Sequence, residues 1–399
     1  MERDELASWL RLTSGDGVGN ATARKLLARF GLPHEVLAQP PHRLHDFLSP
    51  AHAASLRTVP PALEALIEAT WAWLRADVPE GSGRRAIFVL GDPAYPTSLL
   101  AMEDPPLMLY ALGRTELWPT LDTSRCLAVV GSRNPTPQGE ATARDLSRGC
   151  VQAGLTVVSG LALGIDSAAH HGALEGVAAR TSATDGIKQD GEAGATHLAT
   201  VAVVGTGLDR VYPRRNLALA HRIASHGLIL SEYKLGTPPL PANFPRRNRI
   251  IAGLGRGTLV VEAALQSGSL ITARLASEQG KDVFAVPGSI HSLQSRGCHA
   301  LIKQGAKLVE NLQDVLDEIE PIGGRRDSGA PAAGETASDP EAAVDPFLTD
   351  LGYDPIGLDA LVARTGISAA QLQVKLLELE LDGQVARLPG GLFQRTVAT

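Results

Sequence analysis

The sequence is poor in cysteine and has no long apolar run, and each shortage excludes something. Its 399 residues include three cysteines, Cys126, Cys150 and Cys298, far apart in the chain. They form no ligand pair, which argues against a disulfide framework and a structural zinc site and points to a reducing cytoplasm. No stretch approaches the ~20 apolar residues that span a bilayer. The opening MERDELASWL lacks the apolar centre of a secretion signal. Certain chemistries are missing as well: there is no Walker lysine loop, no nucleophile elbow and no carboxylate cluster suited to magnesium. No residue pair stands out as a catalytic dyad, and neither a cofactor nor a metal is expected.

A net charge of −6 would argue against a polyanionic partner if it were evenly spread, and it is not. Residues 310–382 hold 16 acidic side chains against four Lys or Arg. With the two arginines that follow, the total leaves +4 on residues 1–309. A phosphate site needs local positive potential rather than a basic whole. The remaining composition, 44% hydrophobic and 20% charged, is that of an ordinary soluble chain long enough for two or three domains.

Residues 1–82 read as short helices. The run Gly15-Asp16-Gly17-Val18-Gly19-Asn20 precedes the amphipathic ATARKLLARF, with Asn20 a candidate N-cap and Gly31 a candidate stop. IFVLGDPAYPTSLL and PPLMLYALG then bring strand-like runs with loop punctuation. From Leu127 the pattern changes. LAVVGS, LTVVSG, ATVAVVG, LILSE, GTLVVEAA and DVFAVPG are buried-strand runs separated by helix-length segments. That alternation predicts an α/β fold with an extended Rossmann-like parallel sheet over residues 86–320, whose ligands sit beyond the carboxyl ends of the strands. Residues 178–198 are small and polar and read as a loop insertion, and residues 321–344 read as a flexible linker. Residues 345–399 follow the order helix, helix, β-hairpin around Gly390-Gly391, a small winged helix.

The glycine turns at the strand ends carry what chemistry there is. Gly131-Ser132-Arg133 offers close backbone approach, a hydroxyl and a fork of donors, although Gly-Ser turns are common in any such sheet. The stretch from Gly160 through Gly164 and Asp166 to His170-His171-Gly172 opens a helix whose N-terminus favours anions. Asp166 fits a capping role there, and with no second ligand cluster the paired histidines fit helix packing better than a metal. A third turn, Gly205-Thr206-Gly207, is followed closely by Arg210, Arg214, Arg215 and Asn216. The segment Asn243-Phe244-Pro245-Arg246-Arg247-Asn248-Arg249 sets three arginines beside an aromatic ring and two amides. Arg247 and Arg249 on either side of Asn248 suit phosphate contacts, and Phe244 offers a face for a base. Arg246 reads as solvated. Ser267-Gly268-Ser269 places hydroxyls and a glycine at a helix start, an anion cradle.

With these motifs the chain resembles the DprA/Smf family. The resemblance rests on VGSRNPTPQG, SGLALGIDSAAHHGAL, GTGLDRVYPRRN, NFPRRNRIIAGL, VVEAALQSGSLITARLASEQGKDVFAVPG and SRGCHALIKQGA, in that order across residues 86–320. Both flanks resemble longer members more loosely: a helical N-terminal domain and a winged-helix C-terminal domain. The resemblance implies a cytoplasmic, non-enzymatic recombination mediator of natural transformation, one that binds incoming single-stranded DNA, forms a homodimer and loads the RecA recombinase. By position it implies a binding pocket containing Ser132, Arg133, Asn216, Phe244, Arg247, Asn248, Arg249, Ser267 and Ser269. The chain departs from the family pattern at Lys234, Gly255, Lys281 and His299, and in the 178–198 insertion.

An enzyme is the rival reading. GRGTLVVE faintly resembles the signature of lysine-decarboxylase-like phosphoribohydrolases, a nucleotide-processing group with this kind of sheet. Glu262, however, lies four residues after Thr258, where that signature spaces its glutamate by three, and one residue turns a side chain away. A sequence-specific regulator acting through the winged helix is disfavoured by few basic residues and the acidic LELELDG, which fit a protein-interaction role better. The glycine turn before ATARKLLARF is compatible with a helix-hairpin-helix or with a sterile-alpha-motif-like packing domain.

Overall fold

The computed structural model describes residues 1–76, 83–184, 197–319, 346–353, 355–388 and 390–396. The N-terminal region is a cluster of helices: α1 (Arg3–Ser14), α2 (Asn20–Phe30), α3 (Pro33–Ala38), α4 (Pro41–Leu44), α5 (Pro50–Ser55) and α6 (Pro61–Arg75). Gly19, rather than Asn20, holds the N-cap position of α2, and Gly31 ends that helix at φ +93°, a conformation open to glycine. Leu6, Trp9, Leu10, Leu26, Val36 and Ile67 pack together and against one face of the first two strands, β1 (Arg84–Val89) and β2 (Met108–Gly113), joined through α7 (Thr97–Leu100).

The core then alternates β3 (Cys126–Val130), α8 (Pro137–Gln152), β4 (Thr156–Ser159), α9 (Ile165–Thr184), β5 (Thr200–Val203), α10 (Leu217–His226), β6 (Leu228–Ser231), α11 (Asn243–Leu254), β7 (Gly257–Val260), α12 (Ser269–Glu278), β8 (Asp282–Ala285), α13 (Arg296–Lys303), β9 (Lys307–Leu308) and α14 (Leu312–Ile319). The strands form one nine-stranded sheet in the order β1-β2-β6-β5-β4-β3-β7-β8-β9. The pairings from β6 to β9 are parallel, and β2 meets β6 antiparallel. Every residue of β3, β4, β5, β6 and β7 is buried, as a parallel sheet covered on both faces requires.

The chain walks outward from β3 through β4 and β5 to β6, then crosses back to place β7 on the other side of β3. That reversal leaves a crevice beyond the carboxyl ends of β3 and β7. The loop expected over residues 178–198 begins later than its composition suggests, since α9 continues to Thr184. Ala178, Ala179 and Arg180 are strong helix formers that extend it. The rest of that insertion and the expected linker at 321–344 lie outside the described residues.

A third cluster consists of α15 (Pro346–Leu351), β10 (Ile356–Gly357), α16 (Leu358–Thr365), α17 (Ala369–Leu381), β11 (Val385–Leu388) and β12 (Leu392–Arg395), with strand order β10-β12-β11. It is a winged helix around Phe347, Leu361, Leu372, Leu376 and Phe393. Among the described residues no helix is long and apolar enough to cross a membrane.

Candidate nucleic-acid interface

The crevice between β3 and β7 opens into a cleft of about 470 Å³. Seven of the nine residues expected in the site line it: Ser132, Arg133, Phe244, Arg247, Asn248, Ser267 and Ser269. One wall is the turn after β3, where the Ser132 hydroxyl accepts from the Asn134 backbone N–H at 3.1 Å. The opposite wall is the start of α12, where Ser267 Oγ and Ser269 Oγ lie 2.7 Å apart. That N-terminus presents its partial positive charge to the cleft. Asn248 ties the two helices together, its amide donating to Gly268 O at 3.3 Å. Arg133 is exposed at the mouth, with its guanidinium 5.8 Å from the centre of the Phe244 ring.

The segment read as a run of arginines is a helix, α11, and this decides which of them reach the cleft. Phe244, Arg247, Asn248 and Ile251 recur at i, i+3, i+4 and i+7, so they share the face that lines it. Arg249, two residues beyond Arg247, falls on another face. Its guanidinium pairs with Glu232 at 2.6 Å and Asp104 at 3.1 Å, and Asp104 also pairs with Arg24 of α2. Arg249 therefore does not share the face that carries Arg247, where it was expected, and braces the helical cluster against the core instead. Asn216 is likewise outside the cleft. It is buried, and its amide donates to Leu161 O at 2.9 Å and to Ser167 Oγ at 2.9 Å, fastening the loop before α9.

Arg247 lines the cleft but as a buried strut, only 4% exposed. It donates to Val203 O, lies 3.7 Å from Asp166 and presses on Gly160, where any Cβ would collide with the guanidinium. Its Nε and the buried Thr272 Oγ1 have no hydrogen-bond partner among the described residues. Burial pushes the Asp166 carboxyl up, against the pull of Arg247. Arg247 aims its guanidinium inward at Val203 O and Asp166, so the positive potential at the mouth comes from Arg133 and the start of α12.

The remaining polar motifs serve the fold. Asp166 accepts from the Ala162 backbone N–H at 3.2 Å, bracing the turn before α9. His170 is fully buried, and burial together with the Arg247 charge pushes it down to about 3. The Thr200 hydroxyl donates to Val157 O at 2.7 Å and so accepts from His170 Nδ1 at 2.8 Å. His171 meets Arg222 at 3.1 Å. Glu262, the residue on which the enzyme reading turns, accepts from Thr136 N at 2.9 Å and Thr136 Oγ at 2.6 Å, both bonds serving the start of α8. None of the four departures lines the cleft. Lys234 instead donates to Thr13 O at 2.9 Å and Ser14 Oγ at 2.6 Å, and Lys281 to Ala252 O at 2.7 Å and Gly253 O at 2.6 Å at the end of α11.

Sequence reasoning missed Tyr212. Its ring, 48% exposed, stands 5.6 Å from that of Phe244, and both border an adjoining hollow of about 120 Å³ that shares Arg133 and Arg247 with the main cleft. Arg214 and Arg215 follow it, both exposed. The signal was an aromatic and a proline ahead of two arginines, Tyr212-Pro213-Arg214-Arg215, after a glycine-turn strand end.

A Rossmann-like core with a polar, anion-favouring cleft at its switch point, flanked by a helical cluster and a winged helix, defines the class to which this molecule belongs. The family described as DNA recombination-mediator protein A matches residues 86–320, and the DprA winged helix domain matches residues 328–391. The chain belongs to the DprA/Smf family. It is 40% identical to Protein Smf of Escherichia coli K12 over 301 residues, which cover 74% of each chain. It is 45% identical to the DNA processing protein DprA of Streptococcus pneumoniae R6 over 235 residues, 58% of this chain and 74% of that one. The X-ray structure of DNA processing protein A from S. pneumoniae superposes with a TM-score of 0.63 at 34% identity, covering 80% of this chain and 99% of that one.

Proposed function

We propose that this chain binds single-stranded DNA in the cleft between β3 and β7 and acts, in the cytoplasm and as a homodimer, as a recombination mediator of natural transformation that delivers the strand to the RecA recombinase without covalent chemistry. One observation carries the binding reading. An exposed cation, Arg133, stands over an aromatic ring, Phe244, at the mouth of an anion-favouring cleft, with a second ring, Tyr212, beside it. Backbone phosphates need the first element, and unpaired bases with free faces need the second. A duplex hides those faces. The delivery and pairing roles rest on family membership, and the non-enzymatic reading is supported by the structural engagement of Glu262 and Asp166.

The test is a titration of labelled oligonucleotides, single strand against duplex of the same length, in one buffer over a range of salt. Single strands are expected to bind more tightly and without marked sequence preference. Equal or tighter duplex binding would remove the reading.

A further inference from the structure

The helix that precedes the wing in this winged-helix domain, α17, is apolar on two sides. Leu372, Leu376 and Leu379 turn inward and fill the domain's core with Phe347, Leu361 and Val385. On the outside, Val374, Leu377 and Leu381 are 61%, 57% and 81% exposed, and Ala370 is exposed in line with them. Positions 370, 374, 377 and 381 are spaced four, three, four, which is the seam of a coiled coil and puts all four on one face. A helix apolar on both sides is ordinarily covered on both.

The edges of the seam decide what covers it. Glu378 and Glu380 flank it, Asp382 follows the helix, and all three are exposed. The helix has a single lysine, Lys375, turned onto the Phe347 ring at 5.2 Å. Two copies of α17 laid together would set acidic edge beside acidic edge, which disfavours a second copy. A winged helix that reads DNA puts this helix in the major groove, and an apolar stripe edged with carboxylates is repelled there by phosphate. We infer that α17 is a docking surface for a partner protein that presents an amphipathic helix, apolar along its stripe and edged with lysine or arginine. This inference does not depend on where DNA binds.

The experiment uses the full chain and two labelled three-heptad peptides, both with leucine along the stripe, one edged with lysine and the other with glutamate, followed by fluorescence anisotropy. The lysine peptide is expected to bind and the glutamate peptide not. Leu377→Asp should weaken the lysine peptide by at least about tenfold, since it removes a leucine from the buried centre. The doubly reversed variant, Glu378→Lys with Glu380→Lys, should switch preference to the glutamate peptide, and thermal melts of both variants should match the parent because these residues are exposed. Undiminished lysine-peptide binding by Leu377→Asp would mean nonspecific attraction to the acidic part of the chain and overturns the inference. So does failure of the lysine peptide to bind, or of the charge reversal to switch preference. Self-association of the parent that Leu377→Asp abolishes would assign the surface to a second copy instead and likewise overturns it.

Discussion

Arg249→Ala separates a brace from a DNA contact. In the folded protein Arg249 and Glu232 are 13% and 12% exposed and pair at 2.6 Å. Removing the arginine leaves the Glu232 carboxylate buried without its cation, a change that costs about 3–5 kcal/mol when the charge stays in place. Asp104 adds little, because it is 43% exposed and keeps Arg24. Glu232 can also relieve the strain by taking up a proton, so the lower end, about 3 kcal/mol, is the reasonable figure. At roughly 2–4 °C per kcal/mol for a domain of this size, melting should fall by roughly 6–12 °C. The pH dependence follows from Glu232. Burial already pushes its carboxyl above the ordinary range, with Arg249 holding the rise in check. Without Arg249 it rises further. A carboxyl whose folded value lies above its unfolded one loses stability as pH climbs through the folded value. The deficit of the variant should therefore be largest above neutrality and shrink as pH falls toward the unfolded glutamate range. Thermal melts of parent and variant across pH, with single-strand titrations below the melting range, test both halves. Affinity should change by less than about threefold, within the small effect of a charge that faces away. A variant that melts like the parent yet binds tenfold more weakly would refute the assignment and return Arg249 to the cleft.

Arg133→Ala should weaken single-strand binding by about 1–3 kcal/mol, uniformly across sequences, with a shallower salt slope and an unchanged melt, because this exposed arginine contributes a charge-assisted phosphate contact; a change under threefold would place the strand elsewhere. Tyr212→Ala should cost about 1–3 kcal/mol of affinity, as loss of a stacking ring does, while Tyr212→Phe keeps it; equal loss in both variants would contradict stacking. Ending the chain near residue 325 should leave a folded fragment with parental affinity for single strands, measured by the same titration, since every cleft residue precedes it.

The sheet was legible in the sequence because strands buried on both faces must be continuous apolar runs, and β3 through β7 are. The glycine turns were legible because only small residues let backbone approach a ligand at a strand end. The fate of the arginines was not. A charged residue in a sequence reads as exposed, and the groups that Arg247 meets inside, Val203 O and Asp166, are distant in the chain and brought near by the crossovers of the sheet. Arg249 is claimed by Glu232 and Asp104 in the same way. A helical reading of Asn243–Leu254 would have separated the two, since positions two apart on a helix face different ways. Proline at 245 is no obstacle to that helix, since the first turn tolerates the residue. The insertion was read from its glycines and polar residues, but Thr181, Ser182 and Thr184 belong to α9, and the first glycine, Gly186, comes in sequence only after its last residue, Thr184.

These placements set how strongly salt should act. Counted along the sequence, seven arginines cluster at the strand ends: Arg133, Arg210, Arg214, Arg215, Arg246, Arg247 and Arg249. Were all seven on phosphate, the log–log slope of single-strand affinity against salt would be roughly −5, at about −0.7 per phosphate. Arg249 is spent on carboxylates, Arg210 pairs with its neighbour Asp209 and Arg247 sits buried beside Asp166, so none of the three releases a counterion when DNA arrives. Arg246 is exposed on α11 but does not line the cleft. That leaves Arg133, with Arg214 and Arg215 beside Tyr212, and a slope between roughly −0.7 and −2. The start of α12 adds attraction without a mobile counterion of its own, and stacking on Phe244 and Tyr212 adds affinity that salt does not screen. Binding should therefore persist at salt concentrations that strip a protein relying on lysines and arginines alone. Titrations at several salt concentrations on the parent and on Arg133→Ala measure it, with the variant expected to be shallower by about 0.7. A parental slope of −4 or steeper would mean that the inward-turned arginines swing out to meet the strand, and that the buried Asp166–Arg247 pair opens on binding.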